Sequence, residues 1–505
     1  MTIANTSTSR PRKRSLNSRR KALPLTALLA LALAGCASIS PNAGFDDVQT
    51  EVSQRIDKRV QWRSGGTEDQ EVAAEIAEML KTELDVESAV QIALINNHEL
   101  QATYESLGIS QANLVQAGLL RNPVFDAAIL FPSGGGGRAE LDFGIAQDFL
   151  SLLYLPLNKR LAGAQFEAAK LRVNAAVLGL AFDVRSQFYR TQATTQMVEL
   201  FQQVVTNTEA SYGFARRLRE AGNINDLVLY QERALYEESR LGLAAAETNL
   251  AVERERLSEL MGLWGAESQW KIAPRLPEIP EGEPGTDGFE ARAIEMSLSL
   301  AARRKQIEAA AGGLGYANAT ALIPSFEAGF QAEREESWER GPSFSFQIPL
   351  FDTGQARRFA ARAQLRQAQA EYAASAVATR SAARTAYVAL TSARDRALFV
   401  KNVVLPLRSR IVDQTFLQYN AMQVGVFQLL TAQRDQVAAA RQYIETLRDY
   451  WIAKSGLQQI AAGGAAAMNN LRESMESASG SMSGGMARSS VISGSSFESV
   501  NQGGQ

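Results

Sequence analysis

Apolar positions recur along this chain at two periods, and the places where the period changes divide it. From Leu157 to Gln231, and again from Phe351 to Ser455, the spacing is helical, interrupted only near Glu220–Asp226 and Met422–Val426. In the first run Leu171, Leu178, Phe182 and Tyr189 follow one another at 7, 4 and 7 residues and form a seam along one side of a helix. Some 60 residues of helix, rising about 1.5 Å each, span on the order of 90 Å. A rod of that length must pack against others. Each interruption reads as a reversal, so the chain holds two long helical hairpins, 158–261 turning near 222 and 353–455 turning near 424. Pro406 lies inside the second and predicts a kink, because it lacks an N–H and crowds the preceding turn.

Between these rods the period falls to two. Phe125, Ala127, Ile129 and Phe131 alternate with Asp126 and Ala128, and Leu141, Phe143, Ile145 and Phe149 with Asp142, Gly144, Ala146 and Asp148. The same happens after Pro324, with Phe326, Ala328 and Phe330 against Glu327, Gly329 and Gln331. A last run sets Phe344, Phe346, Ile348 and Leu350 against Ser343, Ser345 and Gln347. These patterns predict strands at 123–131, 139–149, 324–332 and 342–350, paired as two hairpins. Gly134–Gly137 forms one loop and Glu333–Arg340 a charged one. Pro156 marks the exit toward the first rod, with Asn158 as its N-cap. Upstream, Asp85 caps a helix extending toward Leu120, with Gly108 and Gly118 as weak points, and Phe289–Ala311 is its counterpart.

The halves match in order and at nearly constant offset: Leu100 with Leu300, Pro123 with Pro324, Phe143 with Phe346, Gly222–Leu229 with Met422–Leu429. Each is a short helix, a β-hairpin and a long helical hairpin, so the chain is a tandem duplication over 85–261 and 289–460. A Pro-rich linker at 262–288, holding Pro274, Pro277, Pro280 and Pro284, joins the repeats. Residues 36–84 read as a mostly extended leader and 461–505 as a disordered Gly/Ser-rich tail.

Strands this long can cross an outer membrane when tilted. Four cannot close a barrel around a passage, and an open edge cannot face lipid, so several copies must pool them. Three copies give twelve. Asp126, Asp142, Asp148, Glu327, Ser345 and Gln347 would line a wet lumen, while Phe125, Phe143, Phe326, Phe344 and Phe346 meet lipid. The competing arrangement is a soluble sheet covered by helices, which uses the same alternation.

Composition narrows the chemistry. With 52 basic and 54 acidic residues the formal charge is -2, which gives no electrostatic case for nucleic acid. One His and one Cys exclude a disulfide or a multi-His/Cys metal centre within one protomer. His98 has no catalytic partner pattern, and no nucleophile elbow, phosphate loop or zinc motif survives its context, so no catalytic residue, metal site or cofactor is expected. The first 35 residues are a signal segment: a basic stretch including Arg10, Arg12, Lys13 and Arg14, then apolar Ala22–Ala34, too short to span a bilayer. It ends in Leu33-Ala34-Gly35-Cys36, which resembles the bacterial lipobox and implies that the mature chain begins at a lipidated Cys36. Several acyl chains give a durable anchor. Residue 37 is Ala rather than an inner-membrane-retaining Asp, so the outer membrane is the expected destination.

The Asn97-His98-Glu99-Leu100 helix, Leu120-Arg-Asn-Pro123, Ile348-Pro-Leu-Phe-Asp-Thr-Gly354 and the turns Gly222–Leu229 and Gln423–Leu430, in this order within a duplicated frame, resemble the outer membrane factor (TolC-like) family. The resemblance covers about residues 80–460 and is nearest to the lipoprotein branch of tripartite (RND-type) efflux systems for drugs or heavy metal cations. It implies a homotrimer with a 12-stranded membrane β-barrel, a 12-helix periplasmic tunnel and an equatorial belt to which 262–288 contributes. It also implies a periplasmic adaptor (membrane fusion) protein docked at the tip and an inner-membrane pump supplying the energy. On that footing Gly222, Asn223, Ile224, Asn225, Leu227, Val424, Gly425, Val426, Phe427 and Leu429 are the expected adaptor contacts. Relatives that close the tunnel with acidic rings have here the neutral Gln428 and Thr431 at matching positions. The gate is therefore either electrostatic through Asp435 or apolar through Phe427 or Leu430, and Arg217, Arg219 and Glu220 are candidates for pairs holding it shut. Two other functions use the same features, a type I protein-secretion tunnel and a lipid-anchored coiled-coil scaffold without a pore.

Overall fold

The computed structural model describes residues 42 and 44–464 except 64, 67, 132–138, 283–287, 322–324 and 335–336. Cys36, Gly134–Gly137 and the tail beyond 464 therefore lie outside the described residues. The leader is helical rather than extended: α1 (Phe45–Ile56) and α2 (Glu68–Met79) precede a two-residue strand β1 (Glu83–Leu84). Phe45, Val48 and Val52 repeat at helical spacing and are buried, with Phe45 edge-on to Tyr104 at 5.0 Å. Burial of that stripe against later helices overrides the polar composition that made the leader look extended.

Asp85 caps α3 (Val86–Asn96), accepting the Ser88 N–H at 2.6 Å. The helix does not run on to Leu120. Asn97 adopts an extended ψ of 120° and caps a separate α4 (His98–Ala117), its side chain accepting the Leu100 N–H at 2.8 Å. The expected weak point Gly108 lies inside α4, and Gly118 ends it. The same pair of side-chain amides reaches the end of the return helix described below: Asn97 Nδ2 donates to Leu260 O and Asn96 Nδ2 to Met261 O and Gly262 O. The break thus trades helix continuity for capping a second helix.

Strands β2 (Val124–Leu130), β3 (Glu140–Asp148), β5 (Phe326–Arg334) and β6 (Trp338–Phe346) form one antiparallel sheet in the order β2-β3-β5-β6. The β3–β5 ladder, with Phe143 opposite Ala332 and Ile145 opposite Phe330, joins the two hairpins. The last strand starts earlier and stops earlier than expected. Trp338, Arg340 and Pro342 continue the face of Phe344 and Phe346, with the Arg340 guanidinium 5.9 Å from the Trp338 ring, so the charged stretch is partly strand. Gln347, Ile348 and Leu350 fall outside it, and Gln347 does not join the polar face.

The first rod, α5 (Phe149–Glu220, 72 residues), starts at the strand end and not at Asn158. Asp148, the last strand residue, accepts the Leu150 and Ser151 N–H groups at 2.9 and 3.1 Å, and Pro156 is absorbed inside the helix. The return helix α6 (Asp226–Met261) ends at Gly262, whose φ of 69° and approach to Asn96 O, 2.8 Å from where a Cβ would sit, require glycine. Within the linker β4 (Lys271–Ile272) pairs in parallel with β1. The second repeat has α7 (Phe289–Met296) and α8 (Leu298–Ala319), split at Ser297 as the first is at Asn97. Its rod is α9 (Gln355–Phe399), a π turn at Val400–Val404 and α10 (Leu405–Asn420), followed by α11 (Val426–Ala461).

The four rods form a layer: α6 packs on α5, α5 on α11, and α11 on α9 and α10. The main core lies across their middle, where the leader, α3, α4, α5, the end of α6 and Trp270 meet. There Arg254 stacks on the Trp270 ring at 3.9 Å, and the indole donates to Ser258 Oγ at 3.0 Å. The second repeat has a smaller core, largely an alanine seam on α9.

Candidate functional site at the helical tips

The two reversals share one backbone. After α5 the Gly222 N–H bonds Arg219 O and the Asn223 N–H bonds Leu218 O; after α10 the Met422 N–H bonds Tyr419 O and the Gln423 N–H bonds Gln418 O, all within 2.8–3.0 Å. Such a doubly bonded helix end needs one residue in the left-handed region. Gly222 supplies it at φ 77°, and Met422 occupies it at φ 60°. A side chain there crowds the following carbonyl at a cost of about 1–2 kcal/mol. The helices that follow also start differently. Asn225 caps α6 by accepting the Val228 N–H at 3.0 Å, while Gly425 has no side chain to cap α11.

Around these turns the expected contact residues divide by exposure. Gly222, Asn223, Asn225, Leu227, Gly425 and Phe427 are exposed, whereas Ile224, Val424 and Val426 are half-buried. Leu429 and the gate candidate Leu430 are buried within the protomer. Gln428 and Thr431 are exposed, the Thr431 hydroxyl donating to Phe427 O at 2.8 Å. Met422 is the side chain most open to solvent here, at 94 %, with Phe427 at 63 %. Met422 is not among the expected adaptor contacts.

Of the charges expected to pair at the first tip, Arg219 bridges α5 and α6 while Glu220 pairs within its own helix. Arg219 forks onto Asp226 across its own turn at 2.6 and 3.1 Å, which holds the Asp226 carboxyl below its usual range, and Glu220 lies 3.9 Å from Arg216 on its own helix. The pair that joins the two hairpins is Arg434–Glu238 at 2.7 Å. Asp435 faces the other way and meets Arg408 on α10 at 2.8 Å, so within the protomer it is already balanced by a cation. No local spacing announces Arg434–Glu238, because its partners are 196 residues apart. His98 is exposed at the start of α4, and no group of three or more His, Cys, Asp or Glu among the described residues could hold a metal ion.

Residues 156–263 match the family described as outer membrane efflux protein. The chain is 22% identical over 392 residues to the cobalt-zinc-cadmium resistance protein CzcC of Cupriavidus metallidurans, covering 75% of this chain and 90% of that protein. Its fold is similar to the CmeC outer membrane channel of Campylobacter jejuni (TM-score 0.66, 14% identity, 77% of this chain and 89% of that one). It is also similar to the open-state MtrE outer membrane channel of Neisseria gonorrhoeae (TM-score 0.60, 18% identity, 75% and 89%). The proteins named here are described as efflux, resistance and channel proteins, and none of those descriptions is of an enzyme. Residues 156–263 thus resemble the outer membrane efflux protein family, and the long helices and small sheet share the fold of the two solved outer membrane channels.

Proposed function

We propose that the chain is one of three identical subunits of an outer membrane duct, passively conducting cargo delivered by a periplasmic adaptor and an inner-membrane pump of RND type. The observation that carries this reading is the uncovered sheet. Every residue of β2 is exposed, Phe125 and Phe344 are 66% and 67% exposed, and β2 and β6 leave two unpaired edges. A soluble protein would hide such a face and blunt such edges. No helix among the described residues is long and apolar enough to cross a membrane. Neighbouring copies would then complete a 12-stranded barrel.

The helical layer asks for the same neighbours. Its outer helices carry exposed apolar stripes, Tyr230, Leu241 and Val252 on α6 and Val377, Val388 and Phe399 on α9. Spacing by 11 residues keeps each stripe on one side of a nearly straight helix. Two different edges that meet head to tail close into a ring. Lipid on Cys36 would anchor the assembly, and the exposed tip residues would receive the adaptor.

Cargo is read from charge. The sheet face opposite the phenylalanines holds Asp126, Glu140, Asp142, Glu327, Glu333 and Glu339 and no Lys or Arg, while Arg334 and Arg340 lie on the other face. A wall of that sign favours cations over anions. With a relative named for cobalt, zinc and cadmium resistance, divalent metal ions are the preferred cargo.

The test is the full chain purified from membranes. A detergent-stable trimer conducting in planar bilayers is expected, and Leu241→Arg with Val388→Arg should leave monomers that conduct nothing. A water-soluble wild-type monomer without conductance would overturn the reading.

A further inference from the structure

Charge is spread unevenly along the helices that carry the sheet. Overall the chain balances 52 basic against 54 acidic residues. The four helix ends nearest the strands do not. Residues 106–120, 149–166, 309–321 and 353–370, which take in the end of α4, the start of α5, the end of α8 and the start of α9, contain no Asp or Glu. Their charged side chains are Lys159, Arg160, Arg357, Arg358, Arg362 and Arg366, all cations. Arg357 lies 3.4 Å from Asp352. Lys159, Arg160, Arg362 and Arg366 are exposed and make no hydrogen bond or ion pair with the described residues of the protomer.

Helical register puts this charge on one side. Gln165 of α5 and Gln364 of α9 hold the same position in their repeats. Each follows a buried alanine, Ala162 or Ala361, and both line a cavity of about 580 Å³ bounded by α4, α5, α8 and α9. At about 100° per residue, Lys159, Arg160, Arg358, Arg362 and Arg366 lie about 120–160° round their helices from those glutamines. That is the side on which Val177, Ala181, Val184 and Phe188 meet the leader further down α5. Closer to the sheet the same side is apolar. Phe149, Leu152 and Leu153 are exposed at the start of α5, and Phe351, between β6 and α9, is 93% exposed. Lys159 lies about 15 Å along the helix from Phe149, and Arg358 and Arg362 about 5 and 10 Å below the start of α9. On each rod an apolar band next to the sheet gives way to a cationic one.

We propose that the outer faces of α5 and α9 below the sheet form a collar that binds anionic phospholipids of the adjoining membrane leaflet. Acyl chains lie against Phe149, Leu152, Leu153 and Phe351, and headgroup phosphates meet Lys159, Arg358, Arg362 and Arg366. The headgroup layer adds about 5–8 Å to each side of the hydrocarbon core, within reach of long cationic side chains whose stems run along apolar surface. Guanidinium groups bind phosphate with paired N–H donors, and no carboxylate on these segments repels it. A second copy suits the arginines less well. The edges of the upper helical layer are α4 and α9, so a neighbour would bring residues 106–120 of α4, which have no acid to offer. The collar rests on the membrane placement of the sheet in the duct reading, and not on conduction.

Native mass spectrometry tests the collar on the full chain, purified in detergent holding equal amounts of phosphatidylglycerol and phosphatidylcholine. Phosphatidylglycerol should be retained in preference. That preference should fall roughly fivefold for each cation removed in Arg362→Gln, Arg366→Gln and Lys159→Gln, and survive in Arg362→Lys. These side chains have no partner in the protomer, so thermal melting of the variants should match wild type. Equal retention of the two lipids, or a preference that the Gln variants leave unchanged, overturns the collar. Excess inorganic phosphate should leave the lipid in place; displacement would reduce the site to one for a free anion and overturn the lipid assignment. Dissociation of subunits in Arg366→Gln with the lipid preference intact would assign the arginine to a contact between copies, and also overturn it. Planar-bilayer recordings in phosphatidylcholine alone separate the collar from the duct. A conducting chain without lipid preference loses the collar alone, and a chain with the preference that never conducts loses the duct and keeps the collar.

Discussion

The two helical hairpins descend from one pattern and are built with different tightness. The first is stitched along its length: Thr208 to Ser239, Ser211 to the buried Glu232, Tyr212 stacked on Tyr236, and Arg219 forked onto Asp226. Its α6 carries Gly242 where the Phe201 ring comes within 2.7 Å of a would-be Cβ. The second has an alanine seam above its π turn and an arm without buried residues below it. The two copies of the duplicated hairpin are therefore held by different means, polar and aromatic stitches in one and an alanine seam in the other. The first supplies most of the large side chains of the main core, to which the second adds Ile444, Leu447 and Ile452 from α11.

The sharpest way to break that comparison is to cut into each core. Phe188 is buried on α5 among the leader and linker residues. Phe188→Ala should cost about 3–5 kcal/mol. Ala386→Gly in the α9 seam should cost about 1 kcal/mol. Denaturant unfolding midpoints on the purified protein would measure both. Equal costs would mean that the second repeat is as firmly held as the first. A smaller step concerns the stitches. Ser211→Ala leaves the buried Glu232 without its hydroxyl donor and should cost about 1–3 kcal/mol. Asp435→Asn, at a pair that is more than a third exposed, should cost under about 1 kcal/mol. Exchange protection of 205–220 should fall in the first variant, and a fall of equal size in 405–420 of the second would remove the distinction.

Much of this architecture was legible along the chain, for reasons that particular residues make plain. The strands stood out because phenylalanines alternating with carboxylates and glycines have period two wherever the sheet ends up. Return helix α6 was bounded by the local signals of Asn225 and Gly262, the second of which the contact with Asn96 then reinforces. Tertiary override accounts for the misses. Asp148 serves as both strand end and helix cap, so a polar residue in an alternating run concealed where α5 begins. The leader helices exist because Phe45 and Val48 find a surface 60 residues away at Tyr104 and beyond on α5. At the tips the turn positions could be read from the two interruptions, but the facing of Leu430 into the hairpin and the Arg434–Glu238 pair depend on how four rods lie side by side.

The turns offer a finer contrast, since their backbones agree and their residues do not. Met422→Gly should stabilise the second turn by about 1 kcal/mol, by removing a Cβ from a left-handed position. Gly222→Ala should destabilise the first by a similar amount, about 1 kcal/mol. Local exchange at 218–224 and 418–424 is the measurement, and the two should move in opposite directions. If Met422→Gly loosens its turn, the methionine contributes contacts that outweigh its backbone strain.

The smallest expected effect is electrostatic, and it compares the repeats at their short helices, α3 in the first and α7 in the second. Glu87 lies between Arg185 and Lys58 in the first, and Glu290 between Arg384 and Arg380 in the second. Partial burial of Glu87 opposes its ionisation, but the Arg185 and Lys58 contacts outweigh it and the carboxyl sits below its usual value. For Glu290 the Arg384 contact leads in the same direction. Lowered folded values mean that both contributions are complete above the ordinary carboxylate range and disappear as pH falls through the lowered ones. Glu87→Gln should flatten that acid limb slightly, by under about 1 kcal/mol after allowing for its half-exposed side chain. Salt separates the pair. Added chloride should weaken the contribution of Glu290 more than that of Glu87, because the arginines facing Glu290 are 59 and 64% exposed while both cations facing Glu87 are 15% exposed, and mobile ions reach exposed charges first. Thermal melting at pH 3–7 in low and high salt, on Glu87→Gln and Glu290→Gln, reads both slopes. Equal salt sensitivity would place the two carboxylates in the same environment and erase the difference between the repeats at these helices.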